Sequence, residues 1–104
     1  MSLFNIGGEW KLTQSNGPEV FLDLRQNGRE FSGHAQVGGG AGGEIRSGEV
    51  SETNIHFVVF WDNGPIGDYE GVFGSDTRLR GSTFDATAPS SQALWHSEKQ
   101  FRPL

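Results

Sequence analysis

The sequence predicts an all-β protein, an eight-stranded antiparallel up-and-down β-barrel formed by one meander. Three observations lead there. Helical periodicity is absent, while short stretches place apolar residues at the period-two spacing of a strand. Tight-turn signals separate these stretches, Asn27-Gly28 foremost among them. The one long apolar run is Ile55-His56-Phe57-Val58-Val59-Phe60-Trp61. It puts Ile55, Phe57, Val59 and Trp61 on one face and His56, Val58 and Phe60 on the other. A strand with one wet face would carry polar residues there, so both sides of this run call for cover. A barrel interior would cover one side and a partner subunit the other.

Residues 1–7 read as an N-terminal tail and 8–102 as a single barrel domain. The first strand is Glu9–Gln14, with Trp10, Leu12 and Gln14 on one face. Ser15-Asn16-Gly17-Pro18 breaks it. The second is Glu19–Gln26, with Val20, Leu22 and Leu24 on one face. Asn27-Gly28 suits a two-residue type I′ turn, which needs positive φ at both positions. That turn sets Gln26 against Arg29, Leu24 against Phe31 and Val20 against Ala35 in the third strand, Arg29–Val37. It also pairs Arg25 with Glu30 on the opposite face. Gly38–Gly43 is a loop; a phosphate-cradling reading would need a following helix and usually a Lys.

The fourth strand is Glu44–Ser51 and the fifth Asn54–Asp62. A two-residue turn at Glu52-Thr53 sets Val50 against Ile55, which turns Arg46 inward and Ile45 outward. A bulge near Ser47 would reverse them, and the pattern leaves both registers open. After the loop Asn63–Gly67 come Asp68–Gly74 and Arg78–Asp85. Their turn pairs Phe73 with Leu79, Gly71 with Gly81 and Tyr69 with Thr83. Ala86–Ser91 is a loop, and Gln92–Phe101 is the eighth strand, with Ala93, Trp95 and Ser97 on one face. An apolar-x-Gly motif recurs at Phe31-Ser32-Gly33, Tyr69-Glu70-Gly71 and Leu79-Arg80-Gly81. Glycine on the inward face lets strands coil and leaves room for a large neighbour such as Trp.

Closing the meander removes both sheet edges. The predicted interior holds Trp10, Leu12, Leu22, Leu24, Phe31, Ile55, Phe57, Val59, Trp61, Tyr69, Phe73, Leu79 and Trp95. The connections after strands two, four and six are tight, so that end should be closed. The others are longer and rich in Gly, Pro and Ser, so that end should be the mouth.

Composition narrows the function classes. A net charge of −5, with 13 acidic and 8 basic residues, argues against a nucleic-acid surface. The chain has no Cys, which excludes disulfides and thiolate metal sites. No apolar stretch approaches the ~20 residues a membrane helix needs, and no membrane partner is expected. The N-terminus lacks the basic and apolar regions of a signal peptide. With the missing Cys, this favours a cytoplasmic setting.

Gly8-Glu9-Trp10 opening the first strand resembles the Gly-x-Trp signature of the avidins and lipocalins. In those families the Trp packs at the closed end, often with an Arg from the last strand, and Phe101-Arg102 stands there. Val58-Val59-Phe60-Trp61 is similar to the avidin segment ending in a biotin-contacting Trp. Tyr69-Glu70-Gly71 and the strand from Trp95 to Phe101 match in order and spacing, so the resemblance covers residues 8–101. It implies a calycin-type barrel, an apolar cavity and a tendency to oligomerise. The biotin contacts do not carry over. The avidin pattern expects Asn and Ser where this chain has Leu12 and Asn16, and Tyr and Ser at Ala35 and Val37. A Trp becomes Tyr69, Ser/Thr contacts fall on Pro65 and Gly67, and Trp61 alone matches.

The expected site lies at the mouth. Trp61, Tyr69 and Trp95 would form an apolar wall, while Gln14, Thr83 and Asp85 would orient a small hydrophobic or amphipathic ligand. Arg46 joins them in the unbulged register. A filled barrel whose polar residues cap the top is the plainer alternative. Catalytic residues, a metal and a cofactor are not expected. Asp62, Asp68 and Asp85 read as solvated carboxylates. His34, His56 and His96 point outward from strands that are not neighbours, so no histidine triad converges. Two other classes stay open. One is a small isomerase- or cyclase-type enzyme using Asp85 or Asp68 as base, which a raised carboxyl pKa in the pocket would favour. The other is a glycan- or protein-binding surface module using Asn16, Asp62 and Asn63. Val58, Phe60 and Val72 point outward on adjacent strands and suggest a homo-oligomer. Val50 would join them if strand four bulges.

Overall fold

The computed structural model describes residues 3–104, and Met1 and Ser2 of the N-terminal segment lie outside them. Ten strands form, and no helix is present among the described residues: β1 (Phe4–Asn5), β2 (Gly8–Gln14), β3 (Glu19–Asn27), β4 (Glu30–Val37), β5 (Gly42–Val50), β6 (Asn54–Trp61), β7 (Ile66–Phe73), β8 (Leu79–Asp85), β9 (Ala88–Ser97) and β10 (Arg102–Pro103). Strands β2 to β9 follow one another around a closed barrel, and β9 returns to pair with β2. The all-β, eight-stranded up-and-down barrel is the architecture that the period-two patterning predicts.

The predicted inward set faces the core, with Trp61 and Phe73 only partly buried. Phe57 is its centre, fully buried and stacked on Tyr69 with ring centroids 4.9 Å apart and planes 3° from parallel. Phe31 meets Phe57 edge-on at 5.8 Å, and Trp95 does so at 6.4 Å. These four rings fill the middle of the barrel, so the apolar cavity implied by the avidin resemblance is reduced to its mouth. A Cβ on Gly71 would lie 2.6 Å from the Trp95 ring, so this inward glycine makes room for the indole.

One register differs from expectation, one register left open is decided, and one predicted loop is largely strand. The β3–β4 turn falls on Gly28 and Arg29, with Asn27 opposite Glu30, rather than on Asn27 and Gly28. Gly28 has a φ of 62° and Asn27 is not in the left-handed region. Glycine at the first central position is the arrangement of a type II′ turn, not I′. Moving the turn by one residue slides every partner by two, so the faces are unchanged. Arg25 now lies opposite Ser32, and the expected Arg25–Glu30 pair is absent.

In β5 the bulged alternative holds. Val50 pairs with Ile55, but Ile45 pairs with Val59, and the register shifts between Arg46 and Glu49. Both apolar residues therefore point inward, 1% and 2% exposed, and Val50 does not join the outer patch. Arg46 points outward, contrary to its expected place in the site. The cost is Ser47 at a φ of 56°, on the order of 1–2 kcal/mol for a residue with a Cβ. Burying an isoleucine contributes about 1.5–3 kcal/mol. An inward guanidinium would add a desolvation penalty of several kcal/mol, so the bulge wins.

The predicted loop Ala86–Ser91 is a two-residue turn followed by strand. Ala86 and Thr87 turn, and β9 starts at Ala88. Asp85 faces Ala88 while Phe84 faces Gln92, so β9 bows outward across Pro89, Ser90 and Ser91.

The tight-turn end is closed. Ile6 is fully buried there, and Gln26 clasps the segment by accepting from the Ile6 N–H at 2.8 Å and donating to the Phe4 carbonyl at 3.0 Å. Trp10 donates its indole N–H to the Ile6 carbonyl and meets Phe101 edge-on at 4.9 Å. Phe101, rather than Arg102, packs on Trp10; Arg102 is exposed and pairs with Asn5 through the β1–β10 ladder.

Candidate functional site

The mouth lies among Ser15–Pro18, Gly38–Ala41, Asp62–Pro65 and the Ala86–Thr87 turn. Two adjoining hollows of about 210 and 200 Å³ open there and share Gln14, Trp61, Pro65 and Tyr69. Asn16, Thr83, Asp85 and Gln92 complete the first; Asn63, Pro18 and Val37 border the second. Trp61 is half-buried. Its indole lies between two glycines: a Cβ on Gly43 or on Gly67 would come within 3.1 Å of it. Close backbone approach at both glycines gives the ring its space at the rim.

Beneath Trp61 the phenol of Tyr69 donates to Gln14 Oε1 at 2.6 Å, and Gln14 Nε2 donates to Asn16 Oδ1 at 3.1 Å. This chain carries polarity from the floor to the rim. Burial pushes the Tyr69 phenol up to about 12. It therefore stays protonated and serves as a donor at neutral pH. Thr83 faces Tyr69 across the β7–β8 ladder and is 8% exposed.

Asp85 is committed to the chain. Its Oδ1 accepts from the Thr87 hydroxyl at 2.6 Å, the Thr87 N–H at 2.8 Å and the Ile66 N–H at 3.3 Å. The Thr87 hydroxyl bond, followed by these backbone bonds, holds its carboxyl below the usual range. A carboxylate stabilised in that way is a weak base. Asp68, the other suggested base, is on the outer wall with its Oδ1 2.9 Å from His56 Nε2.

Five of the seven expected site residues thus meet at the mouth: Gln14, Trp61, Tyr69, Thr83 and Asp85. Trp95 is deeper, 2% exposed, with its indole N–H bonded to the Ser82 carbonyl at 3.0 Å. It supports Tyr69 from below, the rings 6.3 Å apart, and does not line either hollow. Arg46 is outside the barrel, paired with Glu44 at 3.0 Å and 4.8 Å from the Phe60 ring. No family model matches the chain, and no curated protein or solved structure matches it.

The residues that sequence reasoning passed over are Gln92 and Pro65 at the rim and Glu70 on the outer wall. Gln92 has outward parity and reaches the mouth through the bow in β9, which no alternation pattern announces. Glu70 carries a readable signal, because Asp68 and Glu70 share the outward face of the strand that follows His56.

Proposed function

We propose that this barrel binds a small amphipathic ligand at its mouth without catalysis, as its likeness to the avidins and lipocalins implies. The observation that carries the proposal is the half-buried Trp61, which lines the same two hollows as Tyr69 and Gln14 of the Tyr69–Gln14–Asn16 hydrogen-bond chain. An apolar face with a few convergent polar groups is what small-molecule sites use. Each hollow is of ~200 Å³. That suits a ligand of one or two rings, one face against Trp61 and Pro65, its hydroxyl or amide groups reaching Gln14, Asn16 and Thr83. Biotin is not that ligand, since Leu12, Ala35 and Val37 stand where its polar contacts would be.

Titration with a library of small polar aromatics, nucleosides and monosaccharides, followed by tryptophan fluorescence, tests this. Trp10 and Trp95 are buried, at 6% and 2% exposure, so a ligand response should come from Trp61 and vanish in Trp61→Phe. A library that leaves the fluorescence unmoved defeats the proposal. The depressed carboxyl of Asp85 supports binding over the enzyme reading.

The proposal extends to self-association through the wall of Val58, Phe60 and Val72. Phe60 and Val72 are 37% and 57% exposed, and Phe84 on β8 and Leu94 on β9 are further exposed apolar side chains at 38% and 66%. Val72→Asp should shift sedimentation toward the monomer; a wild-type chain that is monomeric at high concentration refutes this part.

A further inference from the structure

We propose that His56, Asp68 and Glu70 form a binding site for a first-row divalent transition metal such as Zn²⁺, on the outer wall and separate from the mouth. The β6–β7 ladder sets His56 directly opposite Glu70, with Asp68 two residues earlier on the same outward face. One donor atom from each of the three falls within 4.8 Å of the others, and His56 Nε2 and Asp68 Oδ1 are already 2.9 Å apart. Donors around a tetrahedral zinc stand on the order of 3.4 Å from one another, given bonds of about 2.0–2.1 Å. His56 and Asp68 then open slightly and the exposed Glu70 closes in, with no movement of the strands.

The charges favour a cation. Asp68 and Glu70 share one face, and Glu49 flanks His56 from the β5 side. Among the described residues His56 is the basic side chain paired with Asp68, and Glu70 has no ion-pair partner. Arg80 borders the same surface, but Asp76 holds its guanidinium at 2.7 Å. The donor set selects the metal class. An imidazole with two carboxylates suits zinc and its neighbours, whereas Ca²⁺ and Mg²⁺ prefer oxygen alone.

A second feature belongs with the triad. His56 and Glu70 border an open furrow of about 580 Å³ that continues past Asn54 and Ser82 to Val72 and Leu94. Three protein ligands leave a coordination position open. His56 and Glu70 both line the furrow, so a small oxygen-donor ligand held there would complete the metal.

Calorimetric titration of tag-free protein with Zn²⁺, and visible absorption with Co²⁺, test the assignment. The expected result is one metal per chain and intense cobalt bands of a tetrahedral site. His56→Ala and Glu70→Gln should each weaken binding by at least about tenfold. His34→Ala, His96→Ala and Trp61→Phe should leave it unchanged. Circular dichroism of each variant separates a lost ligand from a lost fold, and the wild-type cobalt spectrum stands without any variant. No binding at millimolar Zn²⁺, an octahedral cobalt spectrum, or loss that follows His34 or His96 instead overturns the proposal.

Discussion

Phe57→Ala is the sharpest probe of how this barrel is filled. Phe57 is fully exposed to neighbours and not at all to water: it is 0% accessible, stacked on Tyr69 at 4.9 Å and flanked by Phe31 and Trp95. Truncating such a ring costs about 3–5 kcal/mol, the lost transfer energy plus the void left behind. A stability of roughly 5–15 kcal/mol is typical of domains, so the variant should fold but be weak. At ~2.1 cal/mol/K of unfolding entropy per residue, a loss near 4 kcal/mol lowers Tm by roughly 15–20 °C. Urea denaturation followed by circular dichroism measures it, and an unchanged slope assigns the change to stability. Phe21→Ala, which removes a ring 47% exposed on β3 and away from the proposed self-association wall, is the control, expected to stay within about 1 kcal/mol. The void lies directly under Tyr69 and is walled by aromatic rings, so it should also take up a small apolar guest such as benzene, which would restore part of the lost stability. A Phe57→Ala cost below about 1 kcal/mol would refute the filled interior, because so small a loss means the ring was not close-packed.

Three further tests bear on particular residues. Tyr69 is the single tyrosine, so tyrosinate absorbance reports it alone, with a midpoint near 12 in the folded protein against 10.0 for the free group. A phenol whose folded pKa is raised keeps its proton longer when folded. Its contribution is therefore complete below pH 10 and is lost as pH rises from about 10 to 12, on the order of 2–3 kcal/mol in all. Tyr69→Phe should flatten that alkaline decline, and a midpoint near 10 in folded protein contradicts the burial argument. Ser47→Gly at the β5 bulge should raise stability by about 0.5–1 kcal/mol, since glycine takes a positive φ without strain; a lower Tm would mean the bulge is held otherwise. Gly71→Ala brings a Cβ to 2.6 Å from the Trp95 ring and should cost about 1–3 kcal/mol while shifting the tryptophan emission. An unchanged spectrum and Tm would show that the indole is elsewhere.

The fold was legible because alternation and turn chemistry agree along most of the chain. Leu22, Leu24, Phe57, Val59 and Tyr69 face inward at the period that a strand imposes, and the Phe73–Leu79 hairpin pairs as its turn length dictates. Parity survives a turn that moves by one residue, which is why the Asn27-Gly28 hairpin kept its faces while losing its Arg25–Glu30 pair. Parity does not survive a bulge. Arg46 and Ile45 exchange faces at Ser47, and a choice made by burial energy leaves no mark in local pattern. The placement of the candidate site residues was legible to the same depth. Gln14, Trp61, Tyr69, Thr83 and Asp85 meet because their strand ends share the mouth. How deep a side chain lies along the barrel axis was not, and Trp95 proved to be a supporting wall. Ile6 escaped notice because one apolar residue in a polar segment has no period, though it is fully buried.

Strands β1 and β10 lie side by side beneath the closed end, with Phe4 opposite Pro103 and the Leu104 N–H bonded to the Leu3 carbonyl at 2.7 Å. Leu3 and Leu104 therefore meet at one point, at the opposite end of the barrel from the rim that carries Trp61. A short peptide joining them would make the backbone a continuous ring, which can be cut afresh within Gly38–Ala41 without depriving any strand of its neighbour. Cargo or a solid support attached beside β1 or β10 would hang from the base of the vessel and leave its opening unobstructed.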